Sequence, residues 1–324
     1  MQHQAELNLK NGQMSANLWY DYRREIIGLP VFAKEYSLTH LIKDLTLSPD
    51  SSIDLHMHTT YSDGRQTAAQ LVDYLVDQGF DMVAVTDHDR VDMVDSIQTL
   101  ADEKGLPVLP GVEMSTQWNG KMGDLLCYGF DPVNNYLRPL TEKIVSLQLE
   151  NTREVHSNLL KQGYQFPRQA ELLAHKDGKV RIPTDIFLLL LEHGIASDRA
   201  TIDQIINKAG YRPFKADMAE TVDAAHRSGA LCLIAHPGRR QAGFTFYDPA
   251  LLDQLRADVP IDGIELIHPM HSKEMIEAYQ EYIRKHDLLC STGSDSHGHA
   301  KRMPIKHRAA ISRRLLERLG IKLV

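Results

Sequence analysis

From Ser52 onward the chain alternates short apolar runs with stretches of helical periodicity. Ile53–Met57, Met82–Thr86, Val108–Glu113, Leu125–Phe130, Leu231–Ala235, Gly263–Ile267 and Leu288–Thr292 are β-rich or short apolar segments. Runs of this length bounded by turn residues read as buried strands. Between several of them lie amphipathic patterns, at Thr67–Gln78, Met93–Lys104, Ala216–Ser228 and Ser272–His286. Strands separated by helices of this length form parallel βαβ units. Seven such strands, with no glycine-rich phosphate loop after the first, point to a barrel, complete or distorted, and away from a nucleotide-binding open sheet.

The alternation stops over 136–215, where helical patterns follow one another without a strand between them. That stretch is expected to be a helical insertion over one face of a barrel built from 52–135 and 216–324. Residues 1–51 read as an N-terminal extension, closed by the breaker cluster Leu47-Ser48-Pro49-Asp50-Ser51-Ser52.

Composition narrows the class. The chain has 324 residues, 43% of them hydrophobic and 24% charged, which suits a sizeable core and excludes disordered or fibrous proteins. No apolar run is long enough to span a bilayer, since Ile186–Leu191 is bounded by Asp185 and Glu192. The start, Met1-Gln2-His3-Gln4-Ala5-Glu6, has neither the basic nor the apolar stretch of a secretory signal, so a cytoplasmic location is expected. Cys127, Cys232 and Cys290 each sit in an apolar run and read as reduced core residues. The net charge of −7 argues against a protein that coats nucleic acid throughout, yet the segment from Lys301 onward carries +7 and the preceding 300 residues −14. Such a basic segment either forms a solvated helix face or steers an anionic substrate.

The chain also has sixteen histidines, and several are placed at strand ends. In the first strand His56 and His58 are two apart, so both imidazoles face the same way, and Asp63 follows in the loop. The next strands end in Thr86-Asp87-His88-Asp89 and Gly111-Val112-Glu113, and the fourth begins at Asp124. The fifth ends in His236-Pro237-Gly238-Arg239 and the seventh in Gly293-Ser294-Asp295-Ser296-His297-Gly298. Strand ends of an α/β barrel converge on one face, so these groups would meet. Imidazole and carboxylate ligands without thiolate suit Mn, Fe or Zn better than Mg or Ca.

With His56-x-His58-x4-Asp63-Gly64, Thr86-Asp87-His88-Asp89, Glu113, His236-Pro237-Gly238-Arg239 and Gly293-Ser294-Asp295-x-His297-Gly298, the sequence resembles the PHP (polymerase and histidinol phosphatase) superfamily of metal-dependent phosphoesterases. The resemblance covers roughly Ser52–Gly298 and is strongest with stand-alone bacterial members that carry a helical insertion. It implies a distorted (β/α)7 TIM-like barrel, the PHP fold, with a helical insertion domain and two or three divalent ions. His56, His58, Glu113 and Asp295 would hold one ion, with Glu113 bridging to a second completed by His236. Asp63, His88 and His297 would hold a third. Members usually offer a histidine where this chain has Gly123-Asp124-Leu125, so Asp124 would replace an imidazole with a harder oxygen ligand.

The resemblance further implies hydrolysis of phosphomonoesters of nucleotides, such as nucleoside 3′,5′-bisphosphates, or of short RNA, by a metal-activated water. Arg239 and His271 are candidates for phosphate contact, and His271 also for protonating the leaving group. His268 lies beside them at the barrel mouth, and Arg181 and Lys215 of the insertion could meet a second phosphate or a base. Asp87 and Asp89 read as supports for ligands. A phosphatase of a small metabolite such as histidinol phosphate, and a metal-binding regulatory module without catalysis, are the alternatives.

Overall fold

The computed structural model describes residues 42, 44–240, 243–299 and 302–324, so the expected extension over 1–51 lies mostly outside the described residues. Among the described residues the first elements are strands β1 (Thr46–Leu47) and β2 (Ser52–Asp54), helix α1 (Ala68–Asp77), β3 (Met82–Val83) and α2 (Val94–Asp102). Strands β4 (Gly111–Trp118) and β5 (Lys121–Tyr128) follow, then helices α3 (Arg138–Lys161), α4 (Gln169–Leu172), α5 (Pro183–Glu192) and α6 (Arg199–Lys208). Next come β6 (Ala216–Asp217), α7 (Met218–Arg227), β7 (Leu231–Ile234), α8 (Pro249–Asp258), β8 (Gly263–Ile267) and α9 (Lys273–His286). Strand β9 (Leu289–Thr292), β10 (His307–Arg308), α10 (Arg313–Arg318) and β11 (Lys322–Leu323) complete it.

Local chemistry accounts for many of these boundaries. Thr67 caps α1 by accepting from the Gln70 N–H while the Gln70 side chain accepts from the Thr67 N–H, a reciprocal capping box. Ala68, Leu71, Val72 and Leu75 then form the buried stripe that the 3.6-residue period dictates. Ser272 caps α9, and Asp287 ends it in the left-handed conformation at φ 55°.

The sheet departs from an all-parallel order. One six-stranded sheet runs β6-β4-β5-β7-β8-β9 and a three-stranded one β10-β2-β3, while β1 pairs with β11. Strand β5 is antiparallel to both β4 and β7. The cause is local: Asn119 and Gly120, at φ 49° and 72°, close Trp118 onto Lys121 in a two-residue reversal of the type I′ kind, which leaves no room for a crossover. The paired strands do not form one closed ladder either. Beyond Asp54 and Val83 the first strands become irregular where they carry polar residues, and isolated bonds cross to the larger sheet, Leu55 N–H to Thr292 O at 3.1 Å and Glu113 N–H to Thr86 O at 3.1 Å.

Three apolar clusters pack around the sheets, and a fourth, including Val155, Leu159, Phe166, Ile186, Leu189 and Ile202, lies wholly within the helical run. Helices with no strand beside them bury their stripes on one another. Cys127 and Cys232 face each other across β5 and β7 with their Sγ atoms 3.5 Å apart and unbridged. The basic C-terminal segment is part of the fold: β10 pairs with β2, and Arg308, Arg313 and Arg314 pair with Asp50, Glu317 and Asp287. Among the described residues no helix is long and apolar enough to cross a membrane.

A Cβ at Gly120 would meet no atom within 4 Å, so the Gly120→Ala change isolates the cost of a positive φ. We expect a loss of about 1 kcal/mol, read as a lower urea midpoint at an unchanged slope.

Candidate metal centre

The segment after β2 builds the centre by strand alternation. Leu55 and Met57 enter separate apolar clusters, while Asp54, His56 and His58 face the other way. Its main chain is held from both sides, by Thr86 N–H on Met57 O at 2.8 Å and by His58 N–H on Ser296 O at 2.8 Å.

His56, His58, Glu113 and Asp295, all buried, each direct one ligand atom to a common point. Five separations among His56 Nε2, His58 Nε2, Glu113 Oε2 and Asp295 Oδ1 fall between 3.0 and 3.5 Å. Ligand atoms at zinc-like bond lengths around a tetrahedral ion stand about 3.4 Å apart, so this set fits a divalent cation. Glu113 also serves a second set, because His236 Nε2 is 2.9 Å from its Oε1 and Asp124 completes the group. Asp124 Oδ1 is buried without a hydrogen-bond partner, a group that a cation would satisfy. Asp63 and His297 meet at 3.1 Å, with His58 Nδ1 3.7 Å from Asp63, in a third set. His88, expected with Asp63 and His297, instead puts Nε2 3.4 Å from Glu113 Oε2 and stacks on His58.

Register explains the two-sided role of Glu113. It is not at a strand end, since β4 runs on to the hairpin. Pairing of Glu113 with Leu126 sets Asp124 diagonally across on the same face, while Val112, Met114 and Leu125 pack on the helix side.

Backbone and neighbouring carboxylates aim these side chains. His236, Asp295 and Asp89 take left-handed conformations at φ 32°, 49° and 54°, the kind of local strain that clusters at functional sites. A Cβ at Gly293 would lie 2.2 Å from His56 Cβ, so glycine is required where β9 passes the imidazole. Glu265 escaped the sequence reading: its Oε1 is 2.8 Å from His56 Nδ1 and its Oε2 accepts the His236 N–H at 2.6 Å. With Nδ1 protonated toward Glu265, His56 presents the Nε2 lone pair to an ion. A lone carboxylate inside the apolar run Gly263–Ile267 was the signal that could have revealed it. Asp54 was missed too; it accepts from the N–H groups of His56, Ser294 and Ile305, and burial pushes it up to about 6 against those bonds. Asp87 holds the loop before Asp63 by accepting from the Thr59 N–H and hydroxyl and from the Ser62 hydroxyl. Asp89 accepts from the Ser115 N–H.

The remaining candidates separate. Lys215 Nζ lies 3.7 Å from Asp124 Oδ1; burial would lower its pKa, but the charges of Asp124 and Asp89 prevail and raise it. His268 sits in the centre, with Nε2 3.3 Å from Asp295 Oδ2. His271 is otherwise engaged: Nδ1 is 3.0 Å from Leu266 O and Nε2 accepts the Gly238 N–H at 3.1 Å. Both nitrogens meet main-chain groups, the Gly238 N–H tying the ring to the His236-Pro237-Gly238 turn, and burial lowers its pKa. The Arg239 guanidinium lies over the Phe244 ring. Arg181 pairs with exposed Asp177 and lines a groove in the helical run.

Residues 54–231 match the PHP domain family. The chain belongs to that family. The PHP chain is 27% identical over 251 residues to a 3′,5′-nucleoside bisphosphate phosphatase of Chromobacterium violaceum, covering 76% of this chain and 87% of the relative. It is 26% identical over 248 residues to a 5′-3′ exoribonuclease of Haemophilus influenzae, covering 75% and 89%. Its fold matches that of a Bifidobacterium adolescentis protein assigned as a metal-dependent phosphoesterase, with a TM-score of 0.69 at 24% identity over 84% of this chain and 98% of the other.

Electrostatics makes the PHP centre a proton store. Burial would raise the Glu113 carboxyl, yet its interactions with the neighbouring imidazoles, His88 first and then His56, hold it well below its ordinary value. Burial would lower His58, yet hydrogen bonds to Asp295 and Glu113 push it up to about 10. Below that pH an incoming ion must displace the His58 proton, so metal affinity rises with pH through the neutral range and binding releases protons. Titration calorimetry with Mn at pH 7 in buffers of different ionisation enthalpy should show buffer-dependent heats; identical heats would refute it.

Proposed function

We propose that this PHP protein is a metal-dependent phosphoesterase that hydrolyses phosphomonoesters of nucleotides, such as nucleoside 3′,5′-bisphosphates, or of short oligonucleotides. The observation that carries the reading is the split of Glu113, one carboxylate oxygen toward His56 and His58 and the other toward His236. That arrangement suits a bridged pair of ions. We take His56, His58, Glu113 and Asp295 as one ligand set, His236 and Asp124 with Glu113 as a second, and Asp63 and His297 as the core of a third. His88 stands beside Glu113. Divalent ions held there, Mn, Fe or Zn by the donor types, supply an activated water and a clamp for phosphate oxygens.

The protein's own groups bind and orient the ester. Arg239 is taken as a phosphate contact, and Lys215 as a cation offered next to Asp124. A groove of about 500 Å³ in the helical run is lined by Arg153, Lys179 and Arg181, the last of them paired with Asp177, and none of its lining residues belongs to the centre. We read 136–215 as a cap and the two sheets, with the bonds that cross between them, as a distorted barrel. His271 steadies the Gly238 turn rather than moving a proton.

With Mn present, the purified protein should release phosphate from a nucleoside 3′,5′-bisphosphate or a 5′-phosphorylated oligoribonucleotide, and His58→Ala should reduce this to background. Preference for histidinol phosphate over both in a substrate panel would overturn the nucleotide assignment, and full activity of His58→Ala the site.

A further inference from the structure

Most of the basic C-terminal segment is tied to the outer sheet and to acids away from the centre, but Arg302 is not. Its Nη2 donates to Asp295 Oδ2, on the side of the carboxylate away from Oδ1, which faces His56 and His58. The Asp295 side chain is 3% exposed and that of Arg302 34%, so the guanidinium lies between a buried ligand and solvent. Its main chain is built into the loop that carries Asp295 and His297. The Arg302 carbonyl accepts from the His297 N–H at 3.1 Å, the Gly298 N–H at 3.3 Å and the Ser296 hydroxyl at 2.7 Å, and its own N–H donates to His299 O at 2.7 Å. Both ends of the residue are therefore fixed relative to the ligands.

A guanidinium has five N–H donors, and among the described residues only Nη2 of Arg302 has an acceptor. An arginine whose one corner is pinned by a carboxylate and whose other edge faces solvent is set to take a second oxyanion in a two-pronged way. The partner that fits is a phosphate approaching the ligand set from outside. We propose that Arg302 is a substrate-contacting residue that binds a non-bridging phosphate oxygen, held in position by Asp295. The proposal rests on the phosphoesterase reading of the same centre.

Binding of inorganic phosphate to the Mn-loaded protein, measured by calorimetry alongside metal content by elemental analysis, tests it. Arg302→Ala and Arg302→Gln should weaken phosphate binding about 10- to 100-fold and raise KM for the nucleotide with the metal count unchanged, as loss of a charge-assisted hydrogen bond predicts. Arg302→Lys should recover part of the affinity. Arg308→Ala, which removes a charge of the same segment at its Asp50 pair, should leave phosphate binding as it was. Unchanged phosphate affinity in Arg302→Ala would overturn the proposal. So would a loss of affinity that merely follows a loss of bound ions, since Arg302 would then act only by steadying Asp295. If the wild type binds phosphate through Arg302 but hydrolyses no ester, the functional reading fails and this contact stands.

Discussion

Glu113 is a fully buried carboxylate in the middle of an apolar hairpin strand, and burying such a charge costs several kcal/mol unless it is matched. Imidazoles of His56, His58, His88 and His236 surround it and hold it ionised. His56 and His58 come from the segment after β2, His88 from the one after β3 and His236 from the one after β7, so the match exists only when those segments are docked. The centre is therefore both the chemical site and a condition on the fold. Removing Glu113 would leave several buried imidazoles facing one another.

Further carboxylates turn that cluster into an oriented one. Glu265 fixes the His56 tautomer and the His236 main chain together, and Asp54 ties the first strand to Ser294 and Ile305. Left-handed backbone at His236 and Asp295 and the bare Cα of Gly293 are local costs offset by this network. Such strain persists because hydrogen bonds on every side leave the segments no cheaper path.

Much of this was readable from the chain. The paired His56 and His58, the glycine-flanked Asp295 and His297, and the His236-Pro237-Gly238 turn stood out by residue type and two-residue spacing, and the fold brings them together. The strand at Gly263–Ile267 and the helices begun by Thr67 and Ser272 followed from periodicity and capping. The antiparallel turn of β4 onto β5 rests on the Asn119-Gly120 reversal, a local signal to which the βαβ pattern of the neighbouring segments gives no clue. Residue type also says nothing of which groups occupy the nitrogens of His271, which in the fold meet Leu266 O and the Gly238 N–H.

The sequence by itself determined the imidazole and carboxylate groups available to the centre and the alternation that puts His56 and His58 on one face. Tertiary structure decided that the two oxygens of Glu113 face different histidines, that Glu265 stands behind His56, and that Arg302 of the basic segment lies on Asp295. The physical reason is range. Side-chain direction along a strand is set by neighbours one or two residues away, whereas the hydrogen bond of Asp54 to Ile305 spans 251 positions and that of His56 to Glu265 spans 209. Contacts at such separations depend on how the sheets and loops dock, and no local pattern encodes them.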